Sequence, residues 1–228
     1  MNACREIVLE EIECHVSLLE EALSCILHTI LFLRNPKKVT PEDCSCQLLA
    51  PLTYAKCGQS NIAGDVKKAI EMLNITMTNI GPKLSRGMLT LSYLQRREKS
   101  GFFGFTSMSE KVYFERWRLS VVVSHSPFLS SRDEAGEVER ERARDSCRNQ
   151  LQLRMLHLFQ AANQDSDALP SEYEHEFDVG SGSSSGVGVG GVDPTALMYG
   201  GGASGSGRAR TSSTSSVPTN RTGVDVRY

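Results

Sequence analysis

The cysteines are the side chains of this sequence best suited to chemistry, either as metal ligands or as nucleophiles. Cys44 and Cys46 flank a single serine, and Cys57 follows eleven residues later. A zinc site usually needs two ligand pairs, each spaced by about two to four residues, or histidines in their place. The sequence has no second pair and no histidine near the first, so it predicts ordinary thiols and no metal site. A thiol-dependent redox enzyme that uses Cys44 or Cys46 stays open as an alternative.

The remaining motifs do not predict a catalytic centre. The run from Gly186 to Gly191 resembles a phosphate-binding loop, but no Lys-Ser/Thr pair follows it and it lies in low-complexity sequence. His28 and His157 fall within predicted helices, which is typical of structural histidines. Without paired carboxylates, a nucleophile elbow or a metal triad, we expect no enzymatic activity and no cofactor. The net charge of −2 argues against a nucleic-acid partner bound by bulk positive charge.

An aromatic loop is the most unusual feature. Phe102 and Phe103 lie between two glycines, Phe105 follows the second of them, and all three follow the mostly basic segment from Arg96 to Lys99. Each phenylalanine left in water forgoes about 1.5–3 kcal/mol of burial free energy. Either the loop folds back and the rings join the core, or the rings form a finger that docks into a partner, since aromatic anchors dominate interface energetics. These three residues are the candidate protein-binding site.

The periodicity of the apolar residues predicts an α+β fold with helices packed on one face of a mainly antiparallel sheet. Strands are predicted at Glu6 to Val16, with a bend near Glu10-Glu11, within Gln47 to Cys57, at Met88 to Leu94 and at Lys111 to Val123. Helices are predicted at Leu18 to Leu33, from about Asn61 to Ile80, and at Glu134 to Ala162. Lys37 to Cys46 is predicted to be a loop. Because the last two strands flank the aromatic loop, we expect them to form a hairpin that carries it.

The C-terminal region differs in composition from the rest of the chain. Between Gly180 and Gly207 lie 11 of the 19 glycines, and a Ser/Thr-rich stretch follows. Such a chain buries too little apolar surface to offset its ordering entropy. We therefore predict a folded domain over residues 1–178 and a Gly/Ser-rich disordered tail over residues 179–228.

The N-terminal region does not have the pattern of a targeting segment, because acidic residues follow Arg5 where an apolar run is needed. The longest apolar stretch, Ala22 to Leu33, is interrupted by Ser24, His28 and Thr29. A membrane span needs about 20 mostly apolar residues, so no transmembrane helix is predicted. These features favour a cytoplasmic protein whose seven cysteines are free thiols.

Three stretches together resemble a known family. The first runs from Met1-Asn2 through Val8-Leu9 into the leucine-rich helix Glu20 to Leu31. The second is Leu52-Thr53-Tyr54-Ala55-Lys56-Cys57, which precedes an amphipathic helix. The third runs from Leu89 to Tyr93 through the basic segment and the aromatic loop to Tyr113-Phe114-Glu115-Arg116-Trp117-Arg118-Leu119. Their order and spacing are similar to those of the autophagy-related protein 101 family, over roughly residues 1–178.

The resemblance implies a HORMA domain without enzymatic activity that acts as a scaffold subunit of the autophagy-initiation kinase complex, located in the cytoplasm and at the phagophore assembly site. It implies pairing with the HORMA domain of autophagy-related protein 13. It also implies a projecting finger that recruits downstream autophagy factors, at the position of Phe102, Phe103 and Phe105. The family's Trp and Pro are absent from this loop, and phenylalanines take their place.

The sequence departs from the family after Phe177-Asp178, where Gly/Ser-rich sequence replaces further strands and a final helix. We therefore expect the C-terminal strands of the domain to be missing or replaced. Another HORMA-type adaptor that captures a peptide by strand addition is the alternative function within the same fold.

Overall fold

A mixed sheet and three α-helices make up the computed structural model, which describes residues 4–35, 40–100, 107–126, 134–164, 169–170 and 172–181. All of them belong to one compact unit, Met1–Ser184. The strands are β1 (Arg5–His15), β2 (Pro41–Ser45), β3 (Thr53–Cys57), β4 (Thr78–Gly81), β5 (Leu84–Ser100), β6 (Ser107–Ser124) and β7 (Glu174–Ser181). The helices are α1 (Leu19–Leu33), preceded by a 3₁₀ turn at Val16–Leu18, α2 (Ser60–Thr76) and α3 (Glu134–Asn163).

The main sheet has the order β1-β6-β5, and the far edge of β5 is shared by two strands. There β4 pairs with residues 84–86 of β5, and β7 pairs with residues 87–94. β1 runs parallel to β6, whereas all the other pairs in this sheet are antiparallel. β2 and β3 form a separate antiparallel hairpin. The predicted fold class, α+β with a mainly antiparallel sheet and helices, is confirmed.

The core lies between one face of the sheet and the helices. Alternate strand residues supply the sheet side of it, namely Ile7, Leu9, Ile12, Leu89, Leu91, Trp117, Leu119, Val121 and Val123. α2 approaches β5 so closely that a Cβ on Gly87 would lie 2.7 Å from Leu73 and 2.8 Å from Met77. A glycine is therefore required where this helix crosses the strand.

The helix α1 is buried around most of its circumference and contacts β3, α2 and α3. The segment Val16–Leu33 has a mean hydropathy of 1.7 over 18 residues, which is enough by length and composition to cross a membrane. The prediction from its interrupting polar residues did not anticipate this. Because Leu23, Ile26 and Leu27 are fully buried by the rest of the domain, the helix has the environment of a core helix.

The outer edge of β1 is closed by side chains of α3. The Gln150 amide accepts a hydrogen bond from the Glu13 backbone N–H (2.9 Å) and donates one to its carbonyl (3.0 Å). Arg154 donates to the carbonyls of Glu10 and Glu11, both at 3.1 Å. An unpaired strand edge would attract other strands, so these side chains protect β1 from pairing with another chain.

A buried ion pair joins the end of α1 to the middle of β6. Arg34 and Glu115 are each 2% exposed, and the guanidinium donates to both carboxylate oxygens at 3.0 Å. Trp117 donates its indole N–H to the same carboxylate at 2.6 Å, and Arg5 lies 3.6 Å from it. The Arg34 backbone carbonyl accepts a hydrogen bond from Tyr173 at 2.5 Å. The pair thus connects α1, β1, β6 and the segment before β7.

The sequence predicted the long elements well. α1 and α3 are confirmed, as are β1 with its bend, seen as a register shift between Leu9 and Ile12, and the β5–β6 hairpin. Lys37 to Cys46 was wrongly predicted as a loop, since Pro41–Ser45 forms β2. The second helix ends at Thr76, and Ile80, predicted to lie on it, belongs to β4. β7 extends to Ser181, past the predicted boundary at Asp178, and residues 182–228 lie outside the described part.

Removing one partner of the buried pair should be strongly destabilising. Glu115→Gln leaves the Arg34 charge buried without its counterion, so we expect the free energy of unfolding to fall by about 3–5 kcal/mol in urea denaturation. The control Glu139→Gln, which removes an acid from an exposed pair with Arg142, should change it by less than about 0.5 kcal/mol. The double variant Arg34→Met/Glu115→Leu should lose less than the sum of its single variants. Equal effects of Glu115→Gln and Glu139→Gln would contradict this account.

Candidate protein-binding ribbon

The β5–β6 hairpin continues beyond the rest of the sheet. Its two strands stay paired from Gln95↔Val112 to Ser100↔Ser107. The pairing of β7 with β5 ends at Leu94, and the pairing of β1 with β6 begins at Glu115. In the described part of the chain, no other strand lies beside these six residue pairs. We call residues 95–100 and 107–112 the ribbon. At about 3.4 Å per residue it is roughly 20 Å long.

The predicted site residues Phe102, Phe103 and Phe105 lie outside the described residues, in the segment that joins the two strands of the ribbon. The hairpin that was expected to carry them is longer than predicted. Its strands begin at Leu84 and end at Ser124, where the sequence predicted Met88 and Val123. The basic residues Arg96 and Arg97, which lie beyond the predicted end of the strand at Leu94, are exposed members of β5.

A β-bulge marks the point where the ribbon leaves the sheet. Tyr93 pairs with Glu115 and Leu94 with Tyr113, so Phe114 is an extra residue on β6. A bulge bends its strand and increases the local twist. The direction of the ribbon is therefore set at this point, next to the buried carboxylate of Glu115.

Aromatic rings pack around the bulge. Tyr173 makes edge-to-face contacts with Tyr93, at 5.6 Å between ring centroids, and with Phe114, at 5.3 Å. His175 and Phe177 of β7 contact each other at 5.9 Å, and His175 lies 6.5 Å from Tyr93. Burial raises the pKa of Tyr173 to about 12, so its hydroxyl is neutral and can donate to Arg34. These five rings, the base cluster, attach β7 to the root of the ribbon.

Two carboxylates of β7 bind the first residues of the ribbon. Glu174 accepts from the Arg96 guanidinium nitrogen Nε at 2.9 and 3.1 Å. Glu176 accepts from Lys111 Nζ at 2.6 Å and from the Tyr113 hydroxyl. Partial burial of Glu176 opposes its ionisation, but the hydrogen bonds from Lys111 and Tyr113 outweigh this and lower its pKa. The Glu176 carboxylate is consequently ionised at neutral pH, as its contact with Lys111 requires.

Cys25 and Cys46 do not have the environment of nucleophiles. Burial, followed by the nearby Glu21 carboxylate, raises the pKa of Cys46 to about 11. Burial and the neighbouring Cys46 raise that of Cys25 to about 12. A reactive cysteine needs a lowered pKa, so these thiols stay protonated and unreactive at neutral pH. Cys44 is half-buried on β2. All seven cysteines are free, and the described residues contain no group of three or more metal-ligating side chains.

Sequence reasoning missed the residues that hold the ribbon at its base. Glu174 and Glu176 lie two apart, with His175 between them, and this alternation is the period of a strand. It could have predicted β7, but the neighbouring glycine-rich composition favoured a tail. The partners Arg96 and Lys111 were recognised only as polar residues at the ends of the predicted hairpin strands.

The sequence of this chain is similar to sequences of known proteins. A family model described as autophagy-related protein 101 matches residues 11–175, which is more than half of the chain. The chain belongs to the autophagy-related protein 101 family. Autophagy-related protein 101 of Arabidopsis thaliana is similar to it, with 27% identity over 178 residues that cover 73% of this chain and 80% of the relative. The family supports an autophagy-related role, and the matched region includes the ribbon and its aromatic loop.

Acidification should destabilise the docking of β7. Burial lowers the pKa of His175, although Asp65 at 3.9 Å raises it in part. An unfolded histidine has a pKa of about 6.5, so the unfolded state binds the proton more tightly. Neutral His175 therefore contributes fully to the free energy of unfolding above a pH of about 6.5. This contribution is lost as the pH falls from there toward the lower pKa of His175 in the folded state, by at most about 1.4 kcal/mol per pH unit.

The measurement is urea denaturation between pH 7.5 and pH 5, values chosen to bracket the unfolded pKa of about 6.5. His175→Gln should flatten the pH dependence of the free energy of unfolding. Part of the pH dependence should remain in this variant, because burial and, secondarily, Lys56 also lower the pKa of His28. An unchanged slope in His175→Gln would show that this histidine does not contribute.

Proposed function

We propose that this chain is a non-catalytic scaffold subunit of the autophagy-initiation kinase complex. It adopts a HORMA domain, pairs with the HORMA domain of autophagy-related protein 13 and stabilises it. Through Phe102, Phe103 and Phe105 it recruits downstream factors for autophagosome formation, in the cytoplasm and at the phagophore assembly site. The observation that carries the proposal is the family match over residues 11–175. The protonated, buried thiols Cys25 and Cys46 support a non-catalytic role.

The outward face of α3 is the best candidate for the pairing surface. The inner face of this helix is buried through Cys147, Leu151 and Leu158. The opposite face exposes Leu153 (61%), Leu156 (56%) and Phe159 (42%). These three residues, the outer stripe, are spaced three apart and lie along one side of the helix. A helix that faces only water has a polar outer side, so a second apolar stripe is typical of an interface.

The adaptor alternative depends on a free strand edge, because peptide capture by strand addition uses unpaired backbone groups. At β1 the backbone groups of Glu10, Glu11 and Glu13 are already bonded to side chains of α3. Strand addition at this part of the edge would have to displace these bonds, which favours the scaffold function over capture there.

Polar substitution of the outer stripe should abolish pairing and leave the fold intact. For the variant Leu153→Gln/Leu156→Gln/Phe159→Gln we expect loss of co-elution with the partner HORMA domain in gel filtration. The wild-type chain should melt at a higher temperature when the partner is in excess, since a ligand at a hundred times its Kd adds about 2.7 kcal/mol. The control Gln152→Ala/Gln160→Ala changes exposed neighbours on the same helix and should pair normally. Pairing by the stripe variant would place the interface elsewhere.

Substitution of the aromatic loop should separate recruitment from pairing. If the rings are surface anchors, Phe102→Ala/Phe103→Ala/Phe105→Ala changes stability by less than about 0.5 kcal/mol per residue. The variant should still co-elute with the partner HORMA domain but should fail to capture downstream autophagy factors. If the rings belong to the core, each substitution costs about 3–5 kcal/mol. A large fall in melting temperature would therefore remove the recruitment proposal.

A further inference from the structure

The root of the ribbon contains an unfavourable pairing of like charges. Arg96 and Lys111 are direct cross-strand partners in the β5–β6 register. Like charges placed opposite each other on neighbouring strands repel and destabilise the pair. In a hairpin without further contacts, this pair would weaken the ribbon at its first residues beyond the bulge at Phe114.

Each of these cations has its own carboxylate on β7. Glu174 binds Arg96 at 2.9 Å, and Glu176 binds Lys111 at 2.6 Å. β7 pairs with β5, so Glu176 reaches across β5 to contact β6. Glu176 pairs with Ser92 on the core side of the bulge and contacts Lys111 on its loop side, so this contact spans the bend. Glu174 pairs with Leu94, already on the loop side, and its contact with Arg96 ties the end of β7 to the ribbon.

We propose that Glu174 and Glu176 act as a clamp, as positioning residues that fix the direction of the ribbon relative to the sheet. The clamp neutralises the Arg96–Lys111 repulsion and restrains the bend at the bulge. β7 thereby sets the direction of the two ribbon strands that the segment with Phe102, Phe103 and Phe105 joins. Only the consequence for recruitment rests on the proposed function; the clamp itself acts on the ribbon.

The clamp positions the ribbon and contributes little to the global stability of the domain. The side chains of Arg96 and Glu174 are each 55% exposed, and those of Lys111 and Glu176 are 45% and 34% exposed. Ion pairs at such sites contribute little to stability and are screened by salt. β7 is attached independently, through its pairing with residues 87–94 of β5 and through the base cluster. Loss of the clamp should therefore loosen the ribbon without releasing β7.

The test is hydrogen exchange of the full chain, read by mass spectrometry on peptides that cover residues 95–100 and 107–112. In Glu174→Gln/Glu176→Gln we expect ribbon amides to exchange about three- to tenfold faster, as two exposed ion pairs would give. Exchange in residues 87–92 should stay unchanged, and the melting temperature should shift by less than about 2 °C. In wild type, 0.5 M NaCl should reproduce the faster exchange, since it shortens the screening length to only a few ångströms.

A matched control removes the same number of charges elsewhere. Glu137→Gln/Glu139→Gln lies on α3, where both acids pair with arginines on their own helix. This control should leave ribbon exchange unchanged. A charge swap completes the test: Glu174→Arg should loosen the ribbon, and Arg96→Glu/Glu174→Arg together should restore slow exchange.

Unchanged ribbon exchange in Glu174→Gln/Glu176→Gln would overturn the clamp, as would faster exchange that spreads through residues 87–92. The measurement needs no partner, so its outcome is independent of recruitment. Recruitment is tested separately by the alanine variant of the aromatic loop. If that variant still captured downstream factors, the recruitment proposal would be wrong and the exchange result would stand.

Discussion

The bidentate contact between Arg34 and Glu115 is the interaction on which the rest of the structure depends. Two charges removed from water are costly unless each satisfies the other, and an unpaired one costs several kcal/mol. The end of α1 and the middle of β6 must therefore come together in one register. Trp117 donates a hydrogen bond to the Glu115 carboxylate, and Arg5 lies beside it. Tyr173 donates to the backbone carbonyl of Arg34. A single buried carboxylate thus fixes a helix end, two neighbouring strands and the chain that leads into β7.

The same residue links the rigid core to the exposed ribbon. Glu115 lies immediately after the bulge residue Phe114 as the chain returns into the sheet, and it is held from several sides. On the outer side of the bulge, the contacts are surface ion pairs. The structure therefore changes within two residues from a buried, fully paired environment to a solvated one. Such a change suits an appendage whose base must be fixed while its tip meets another molecule.

Local periodicity explains which elements could be predicted from the sequence. α1, α3 and the β5–β6 hairpin are long and strongly patterned, and even the phase slip near Glu10 corresponds to an observed register shift. The missed strands are short or polar. All four residues of β4 are exposed, and β2 has no fully buried residue. In these strands pairing with a neighbour, which the sequence does not display, decides the conformation.

The candidate site was predictable only in outline. The hairpin follows from the alternating residues of its two strands, but the residues that hold its base come from distant parts of the chain. Arg34 and Glu115 are 81 residues apart, and Lys111 and Glu176 are 65 apart. No periodicity indicates which of many acidic and basic side chains will be brought together. The composition after Asp178 also concealed β7, since a strand buried on one side needs few apolar residues.

The parallel pairing of β1 with β6 has a consequence for how the protein is made. Arg5 pairs with Glu115, so the first strand leaves the ribosome 110 residues before its partner. At about 5–20 residues per second this delay amounts to roughly 5–20 s. During that interval β1 and the apolar helix α1 have no sheet to pack on, and the side chains of α3 that close the edge of β1 emerge later still. The nascent chain therefore exposes the apolar segment Val16–Leu33 before the strands that bury it in the folded domain have been made.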